Sequence, residues 1–80
     1  MLKIKDNLTL KELKKHFVFQ RGCLWYKIKP YIYLSFDTTE DFKYIGIEMQ
    51  TLIEEKDYKN YEKKATQKLI KKNIVEKVDD

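Results

Sequence analysis

Residues 17–49 of the chain read FVFQRGCLWYKIKPYIYLSFDTTEDFKYIGIEM and contain nine of its eleven aromatic side chains. Within this segment apolar and polar residues alternate over short runs, which is the pattern of half-buried β-strands. Residues that favour turns separate these runs. The segment therefore predicts a small antiparallel sheet that carries the hydrophobic core.

Four strands are predicted in this segment, at Phe17–Gln20, Leu24–Lys29, Tyr31–Phe36 and Phe42–Met49. Between the first two, Gly22 supplies the positive φ that a tight hairpin turn requires. Pro30 lacks a backbone donor and therefore marks a break, a bulge or a sheet edge. The polar run Asp37–Asp41 predicts a turn. Gly46 indicates a bulge or a close approach of another backbone.

Because successive side chains in a strand point to opposite faces, the alternation also predicts which residues face the core. The expected core face consists of Leu24, Tyr26, Ile28, Ile32, Leu34, Phe36, Ile45, Ile47 and Met49. The opposite face is expected to carry Trp25, Tyr31, Tyr33 and Tyr44. Two helices must pack somewhere, so the sequence leaves open whether they cover this aromatic face or leave it free.

Before the sheet, Leu2–Lys5 alternates and predicts a short edge strand. Thr9 and Glu12 have the spacing of a capping box, in which the Thr9 hydroxyl accepts from the Glu12 amide and the Glu12 side chain reaches the Thr9 amide. An apolar stripe predicts a helix over Leu10–His16.

After the sheet, residues 50–57 fit either a second helix start or a continuation of the sheet. From Asp57 onward a stripe at helical spacing predicts a helix. Its members are Tyr58, Tyr61, Ala65 and Leu69. Ile70 lies off the stripe, so it needs separate burial or marks a loosening helix end. Asn73 is predicted to end the helix in a left-handed conformation, and Ile74–Val78 predicts a terminal strand.

These elements predict an α+β domain over residues 1–80, a small antiparallel sheet of about four to five strands with two helices. The two terminal strands are expected either to pair with each other or to cap a sheet edge. Eighty residues are enough for one domain. Order is expected throughout, with Asp79 and Asp80 as exceptions.

The residues that carry chemistry are few. The single cysteine, Cys23, cannot form an internal disulfide, and it cannot build a structural zinc site with the single histidine, His16. His16 suits a helix C-terminus, and Cys23 suits a hairpin turn as a small residue. With two glycines the chain has neither a phosphate-binding loop nor a nucleophile elbow. The sequence predicts no enzymatic activity, no cofactor and no metal site.

The chain begins with no secretory signal pattern, and no run approaches the roughly 18 apolar residues that cross a bilayer. This pattern, with a single cysteine in the chain, predicts a soluble protein of a reducing cytoplasm with no membrane partner.

Two surfaces remain as candidate binding sites. The first combines the aromatic residues Trp25, Tyr31, Tyr33 and Tyr44 with the acidic turn residues Asp37, Glu40 and Asp41. Aromatic side chains dominate binding hot spots, and the carboxylates suggest an acidic contact surface or an ordinary solvated turn.

The second surface is a lysine-rich helix face. The chain has a net charge of +4, and residues 56–77 hold eight lysines against three acidic residues, so the basic character is assigned to the C-terminal third. The candidate nucleic-acid contacts are Lys63, Lys64, Lys68, Lys71 and Lys72. Basic residues beside aromatic ones bind single-stranded nucleic acid in many proteins. An ordinary solvated helix face explains the same pattern, and arginine, the preferred phosphate ligand, occurs only once in the chain.

The pattern Leu10-Lys-Glu-Leu13, Phe17, the tyrosine-rich strands and the segment 67–78 resembles small proteins encoded by phages and mobile elements of AT-rich bacteria. Such proteins include inhibitors of bacterial defence, among them anti-CRISPR proteins. Together with the lack of catalytic motifs, the resemblance implies a non-enzymatic interaction module in the cytoplasm of a bacterial host cell. Its expected partner is a larger host protein or nucleoprotein effector. Leu69–Val78 also resembles the recognition-helix-to-wing passage of winged-helix regulators, but aromatic strands replace the helices that precede it there.

Overall fold

The computed structural model describes residues 1–79. These residues form, in chain order, β1 (Leu2–Ile4), α1 (Leu10–Leu13), β2 (Val18–Gln20), β3 (Cys23–Lys29), β4 (Ile32–Asp37), β5 (Tyr44–Met49), α2 (Glu55–Lys71) and β6 (Val75–Lys77). Strands β2 to β5 form a four-stranded antiparallel meander, and β1 pairs with β6 in a two-stranded sheet. The predicted α+β class is confirmed. The expectation for Asp80 lies outside the described residues.

The β2–β3 hairpin closes with a two-residue loop. Gln20 pairs with Cys23, so Arg21 and Gly22 form the loop, with φ angles of 55° and 73°. Positive φ at both loop residues is the mark of a type I′ turn, whose twist matches that of the flanking strands. The predicted role of Gly22 is confirmed, and the loop is one residue shorter than the segment between the predicted strands.

The terminal strands pair with each other and also contact the larger sheet. Leu2 lies opposite Lys77 and Ile4 opposite Val75, in antiparallel register. The amide of Ile4 donates to the carbonyl of Phe42 at 3.1 Å, which ties β1 to the segment that precedes β5. Of the two alternatives that the sequence left open, the terminal strands pair with each other, and a single isolated bridge between Lys3 and Lys43 connects them to the segment before β5.

Helix α1 is shorter than predicted, because residues 14–16 form turns and not a continued helix. The Thr9 hydroxyl accepts from the Glu12 amide at 3.2 Å, as the capping box predicts. It also donates to the Glu12 carboxylate at 3.0 Å, so Glu12 binds the Thr9 side chain where the prediction had it reach the Thr9 amide.

Helix α2 begins at Glu55, so a helix start lies within residues 50–57 and the sheet does not continue through them. Residues 50–54 are irregular. It ends in a Schellman motif, since the Ile74 amide donates to the Leu69 carbonyl and the Asn73 amide to the Ile70 carbonyl. Asn73 has φ 61°, so its predicted left-handed conformation is confirmed. The side chain of Ile70 is partly buried against the core, which gives it the separate burial it needed.

The hydrophobic core lies between one face of the four-stranded sheet, the two helices and the terminal strands. Its buried members are Ile4, Leu13, Phe17, Leu24, Leu34, Phe36, Ala65, Leu69, Ile74 and Val75. Leu24, Leu34 and Phe36 come from the predicted core face of the sheet, and Leu13, Ala65 and Leu69 come from the helices. The helices therefore cover the aliphatic face of the sheet.

A β-bulge in β5 overturns part of the predicted face assignment. Ser35 pairs with Gly46, but Phe36 pairs with Tyr44, so β5 has one residue more than β4 at this point. The extra residue, Ile45, is 56% exposed and not part of the core face, where it was expected. Of the two alternatives predicted for Gly46, a bulge or a close approach of another backbone, the structure shows the bulge. Because the bulge reverses the alternation, every residue before it changes faces.

Candidate functional site: the open face of the sheet

Two aromatic side chains occupy the sheet face that the helices leave free. Trp25 lies opposite Val18 and Ser35, and Tyr33 lies opposite Lys27 and Glu48. Strand alternation directs their side chains away from the core, because Leu24 and Leu34 beside them point into it. We call this surface, formed by Val18, Gln20, Trp25, Lys27, Tyr33 and Glu48, the open face.

The geometry of the Trp25–Tyr33 pair is well defined. The two rings meet edge to face, with centroids 6.4 Å apart and an interplanar angle of 88°. The indole Nε1 of Trp25 donates to the Gln20 carbonyl at 2.9 Å, which anchors the ring across the hairpin. Next to Trp25 in β4, Ser35 is only 2% exposed, and its hydroxyl is satisfied by the Gly46 carbonyl at 3.1 Å. The open face thus holds its aromatic rings in place before any partner binds.

A cleft of about 300 Å³ runs over the open face. It is lined by Val18, Gln20, Arg21, Trp25, Tyr33, Glu48 and Gln50, and none of these residues comes from a helix. Arg21 contributes a positive charge from the β2–β3 turn, and Glu48 contributes a negative charge from β5. The site therefore combines aromatic contact area with one charge of each sign at its borders.

Of the four predicted aromatic contacts, Tyr31 has a different setting from Trp25 and Tyr33. It was predicted to begin the third strand, but it lies in a turn with φ 71° just before β4, which begins at Ile32. Its side chain is exposed, and its carbonyl accepts from the amide of Gln50, a cleft residue, at 2.8 Å. Tyr31 therefore lies at the end of the sheet, beside the cleft.

Tyr44 corrects the prediction. The β5 bulge turns its side chain to the core face, where its ring lies 5.3 Å from that of Phe36, centroid to centroid. The hydroxyl donates a short hydrogen bond to the Glu62 carboxylate of α2. Burial, followed by this contact with Glu62, raises the pKa of Tyr44 above its ordinary value. Tyr44 joins the helix to the sheet and does not belong to the open face.

The acidic turn is largely engaged within the molecule. The Asp37 carboxylate accepts from the Thr39 hydroxyl at 2.7 Å and the Thr39 amide at 2.8 Å, and these bonds lower the pKa of Asp37. Asp41 accepts from the ammonium group of Lys3 at 3.2 Å, and the Lys3 side chain is 8% exposed. Among the three predicted carboxylates, only that of Glu40 has no hydrogen-bonding or ionic partner in the part of the chain that the structure describes.

The lysines of the alternative site are all exposed, but they do not form one strip. At 100° per residue, Lys64, Lys68 and Lys71 lie on one flank of α2, whereas Lys63 lies on the other. Lys72 follows the end of the helix. Within residues 1–79, no carboxylate lies within 4.0 Å of any of these five ammonium groups. The ring of Tyr61, the neighbouring aromatic residue, is covered by the ammonium group of Lys29, 4.9 Å from its centroid.

One feature of the site was missed in the sequence. From Leu13 to Phe36 the chain has no acidic residue, while it holds four lysines and one arginine. Folding turns this segment into the end of α1, the β2–β3 hairpin and most of β4. This second basic region is not visible when the net charge of the C-terminal third is compared with that of the remaining chain. The signal that indicates it is the long interval between two successive acidic residues, Glu12 and Asp37.

The two isolated reactive side chains remain apart from the cleft lining. His16 is exposed in the turn after α1, and Cys23 is a half-buried free thiol at the start of β3. Among the described residues, no group of three or more His, Cys, Asp or Glu side chains is placed to hold a metal ion. The described helices include none with the length and apolarity needed to span a membrane.

Comparison with known proteins gives no significant match for the chain among protein-family models, curated proteins or solved structures.

Proposed function

We propose that this protein is a non-enzymatic interaction module that binds a larger protein through its open face. The observation that carries this proposal is the Trp25–Tyr33 pair, held edge to face on a sheet surface that the helices leave free. Large aromatic side chains near the centre of a contact contribute most of the binding energy at many interfaces. Trp25 loses little conformational freedom on binding, because its indole is already hydrogen-bonded to Gln20.

The proposed mechanism is the occupation of a partner's surface. Trp25 and Tyr33 would fill an apolar depression on the partner, while Arg21 and Glu48 at the borders of the cleft would favour one orientation through their opposite charges. Binding of this kind inhibits a partner by covering a surface that the partner needs for other contacts.

For the partner class we favour a host protein or nucleoprotein effector of bacterial defence. This part of the proposal is supported by the sequence resemblance to small phage and mobile-element proteins, and an anti-CRISPR-like inhibitor is its most specific form. If the partner handles nucleic acid, the acidic turn is a candidate to imitate phosphate groups. The engagement of Asp37 and Asp41 in internal contacts argues instead that this turn mainly shapes the fold.

The test is capture from a bacterial lysate on the immobilised chain, with and without nuclease and with a high-salt wash. We expect one discrete protein to survive both treatments. Trp25→Ala should reduce its retention at least about thirtyfold, since a central aromatic residue contributes roughly 2 kcal/mol or more. The control is Leu52→Ala, which removes a fully exposed apolar side chain outside the sheet and should leave retention unchanged.

Circular dichroism of the Trp25→Ala chain has to show native folding for the comparison to count. Equal retention by the folded Trp25→Ala chain would contradict the proposal, and so would capture of salt-labile, nuclease-sensitive material alone.

A second candidate function is nucleic-acid binding through α2. Its support is that Lys64, Lys68 and Lys71 lie on one flank of the helix and have no carboxylate partner within the described residues. Each phosphate contact with a single strand adds about −0.7 to the slope of log K against log salt concentration. This candidate therefore predicts that charge reversal of the three lysines makes the slope less negative by about 2.

Fluorescence anisotropy with a labelled thymidine 20-mer measures this slope. The matched control reverses Lys56 and Lys59, whose ammonium groups already lie 3.4 Å from Glu54 and 3.1 Å from Glu55. A slope that does not respond to reversal of Lys64, Lys68 and Lys71 would eliminate this candidate.

A further inference from the structure

The outer edge of β2 is free to accept another strand. Within the described residues β2 has one neighbour, β3, and all three of its side chains are exposed. An unpaired edge presents a row of backbone N–H and C=O groups on which another strand can align. The β2–β3 register shows which of these groups point outward.

A two-residue hairpin loop makes the flanking pair a hydrogen-bonded one, and hydrogen-bonded pairs then alternate with non-bonded ones. Gln20 with Cys23 and Val18 with Trp25 are therefore the hydrogen-bonded pairs. Phe19 lies between them, so its N–H and C=O point away from β3. An added strand would exchange two hydrogen bonds with Phe19.

The side chains of β2 indicate that its occupant lies alongside the strand. Val18 is 60% exposed and belongs to the open face, whereas Phe19 points to the opposite side of the sheet and is 55% exposed. A partner resting on the open face would cover Val18 and leave Phe19 in water. A strand added at the edge places its alternating side chains beside both residues at once. Exposed apolar groups on both sides of one edge are therefore explained by strand addition.

The charge around β2 indicates the chemistry of that strand. Lys14 and Lys15 precede β2, Arg21 follows it, and all three are exposed without a carboxylate within 4.0 Å in the described part of the chain. Between Leu13 and Phe36 the sequence contains no acidic residue, so these charges have no acidic neighbour within this segment of the chain. An acidic segment would be attracted and held in register by them.

The same charges argue against a second copy of this chain as the occupant. Antiparallel pairing of two β2 strands would bring the lysines before one strand close to Arg21 after the other. Like charges placed opposite one another destabilise a strand pair. The edge is thus unfavourable for self-association.

We propose that β2 binds an extended segment of the partner, apolar at its centre and acidic at its ends, as a fifth strand of the meander. The proposal rests on the proposed function, because it assigns to the same partner a second contact beside the open face. Backbone hydrogen bonds to Phe19 align the segment, its central side chains cover Val18 and Phe19, and its carboxylates meet Lys14, Lys15 and Arg21.

The probe is a fluorescein-labelled nine-residue peptide of alternating valine and threonine with two glutamates at each end. Its matched control has lysines in place of the glutamates. Fluorescence anisotropy is expected to show saturable binding of the acidic peptide and at least about tenfold weaker binding of the lysine peptide at low salt. Amide hydrogen exchange of the intact chain is expected to show rapid exchange at Phe19, which slows when the acidic peptide saturates the chain.

Two substitutions separate the backbone from the side chain. Phe19→Ala and Phe19→Pro both remove the ring, but only proline removes the outward N–H, and an edge position tolerates proline when its donor faces solvent. The proline chain is expected to bind the acidic peptide about 2- to 12-fold more weakly than the alanine chain, which corresponds to one hydrogen bond. If the proline chain does not fold, the exchange experiment on the unaltered chain still decides.

Four results would overturn the proposal. The first is that the acidic peptide does not bind at concentrations up to millimolar, and the second is that the lysine peptide binds equally well. The third is that amide exchange at Phe19 is unchanged under saturating acidic peptide. The fourth is a concentration-dependent dimer that protects the Phe19 amide without peptide. The proposed function is tested separately, since a partner captured through Trp25 can be found in each of these cases. Conversely, strand addition at Phe19 can occur even if Trp25→Ala leaves partner capture intact.

Discussion

The contact between Tyr44 and Glu62 offers the sharpest test of how the helix is joined to the sheet. Tyr44→Phe removes only the hydroxyl that donates to the Glu62 carboxylate and leaves the ring beside Phe36 in place. A hydrogen bond to a charged group contributes about 1.5–3 kcal/mol when it is buried. Both side chains are only partly buried, so solvent screening reduces the expected loss in free energy of unfolding to about 1–1.5 kcal/mol.

Urea denaturation at pH 7 measures this loss. With a slope of about 1.5 kcal/mol per molar, the midpoint should fall by about 0.7–1 M. The control is Tyr58→Phe, because Tyr58 is also half-buried and its hydroxyl has no hydrogen-bond partner among the described residues. We expect the control to change the free energy of unfolding by less than about 0.5 kcal/mol.

The same contact predicts a dependence on pH. Because the pKa of Tyr44 is raised in the folded chain, the folded state holds the hydroxyl proton more tightly than the unfolded state does. The stabilisation from this group is fully present below the ordinary tyrosine pKa of about 10 and decreases as the pH rises above it. The difference between the unaltered chain and Tyr44→Phe should therefore shrink between pH 10 and 11.5.

Equal stability of the Tyr44→Phe and Tyr58→Phe chains at pH 7 would refute the reasoning about the hydroxyl. A difference that stays constant from pH 8 to pH 11.5 would refute the linkage to its ionisation. Comparing the variant with the unaltered chain at each pH cancels the titration of the other tyrosines and of the lysines.

Two further predictions concern the hairpin and the core. Gly22→Ala places a β-carbon at φ 73°, so thermal denaturation should show a loss of about 1–2 kcal/mol in the free energy of unfolding. Arg21→Asn should be neutral or stabilising, because asparagine favours the first position of a type I′ turn. Leu69→Ala removes a fully buried side chain between α2 and the sheet, so urea denaturation should show a loss of about 2–5 kcal/mol in the free energy of unfolding. The control is Leu52→Ala at a fully exposed position, which should change this free energy by less than about 0.5 kcal/mol. A stable Leu69→Ala chain would contradict the packing of α2 on the sheet.

The features that the sequence predicted well depend on neighbours along the chain. The Thr9 cap, the positive φ of Gly22 and the left-handed Asn73 each follow from the backbone preferences of a few adjacent residues. The buried stripe of α2 follows from helical periodicity in the same way. Such signals are contained in the sequence because the interacting groups lie within about five residues of one another.

The side chain of Tyr44 lies on the core face, although the alternation of β5 predicts the opposite face. Alternation counted back from Met49 assigns Tyr44 to the aromatic face, but the bulge beside Gly46 inserts one residue and reverses the assignment. The glycine indicated a bulge, yet its consequence for Tyr44 depends on the register of β4 against β5. Register is a property of two strands together, so one strand's pattern cannot specify it.

By itself the sequence determined the α+β class, the four-stranded meander, the hairpin turn and the amphipathic helix, because each rests on local periodicity or on the φ preference of a single residue. Only the tertiary structure decided which sheet face the helices cover, since alternation describes two faces without saying which is buried. It also decided the pairing of β1 with β6, the position of Trp25 and Tyr33 in the cleft, and the free edge of β2. These features depend on contacts between residues far apart in the chain, and those contacts form only when the whole chain packs around Leu34, Phe36 and Leu69.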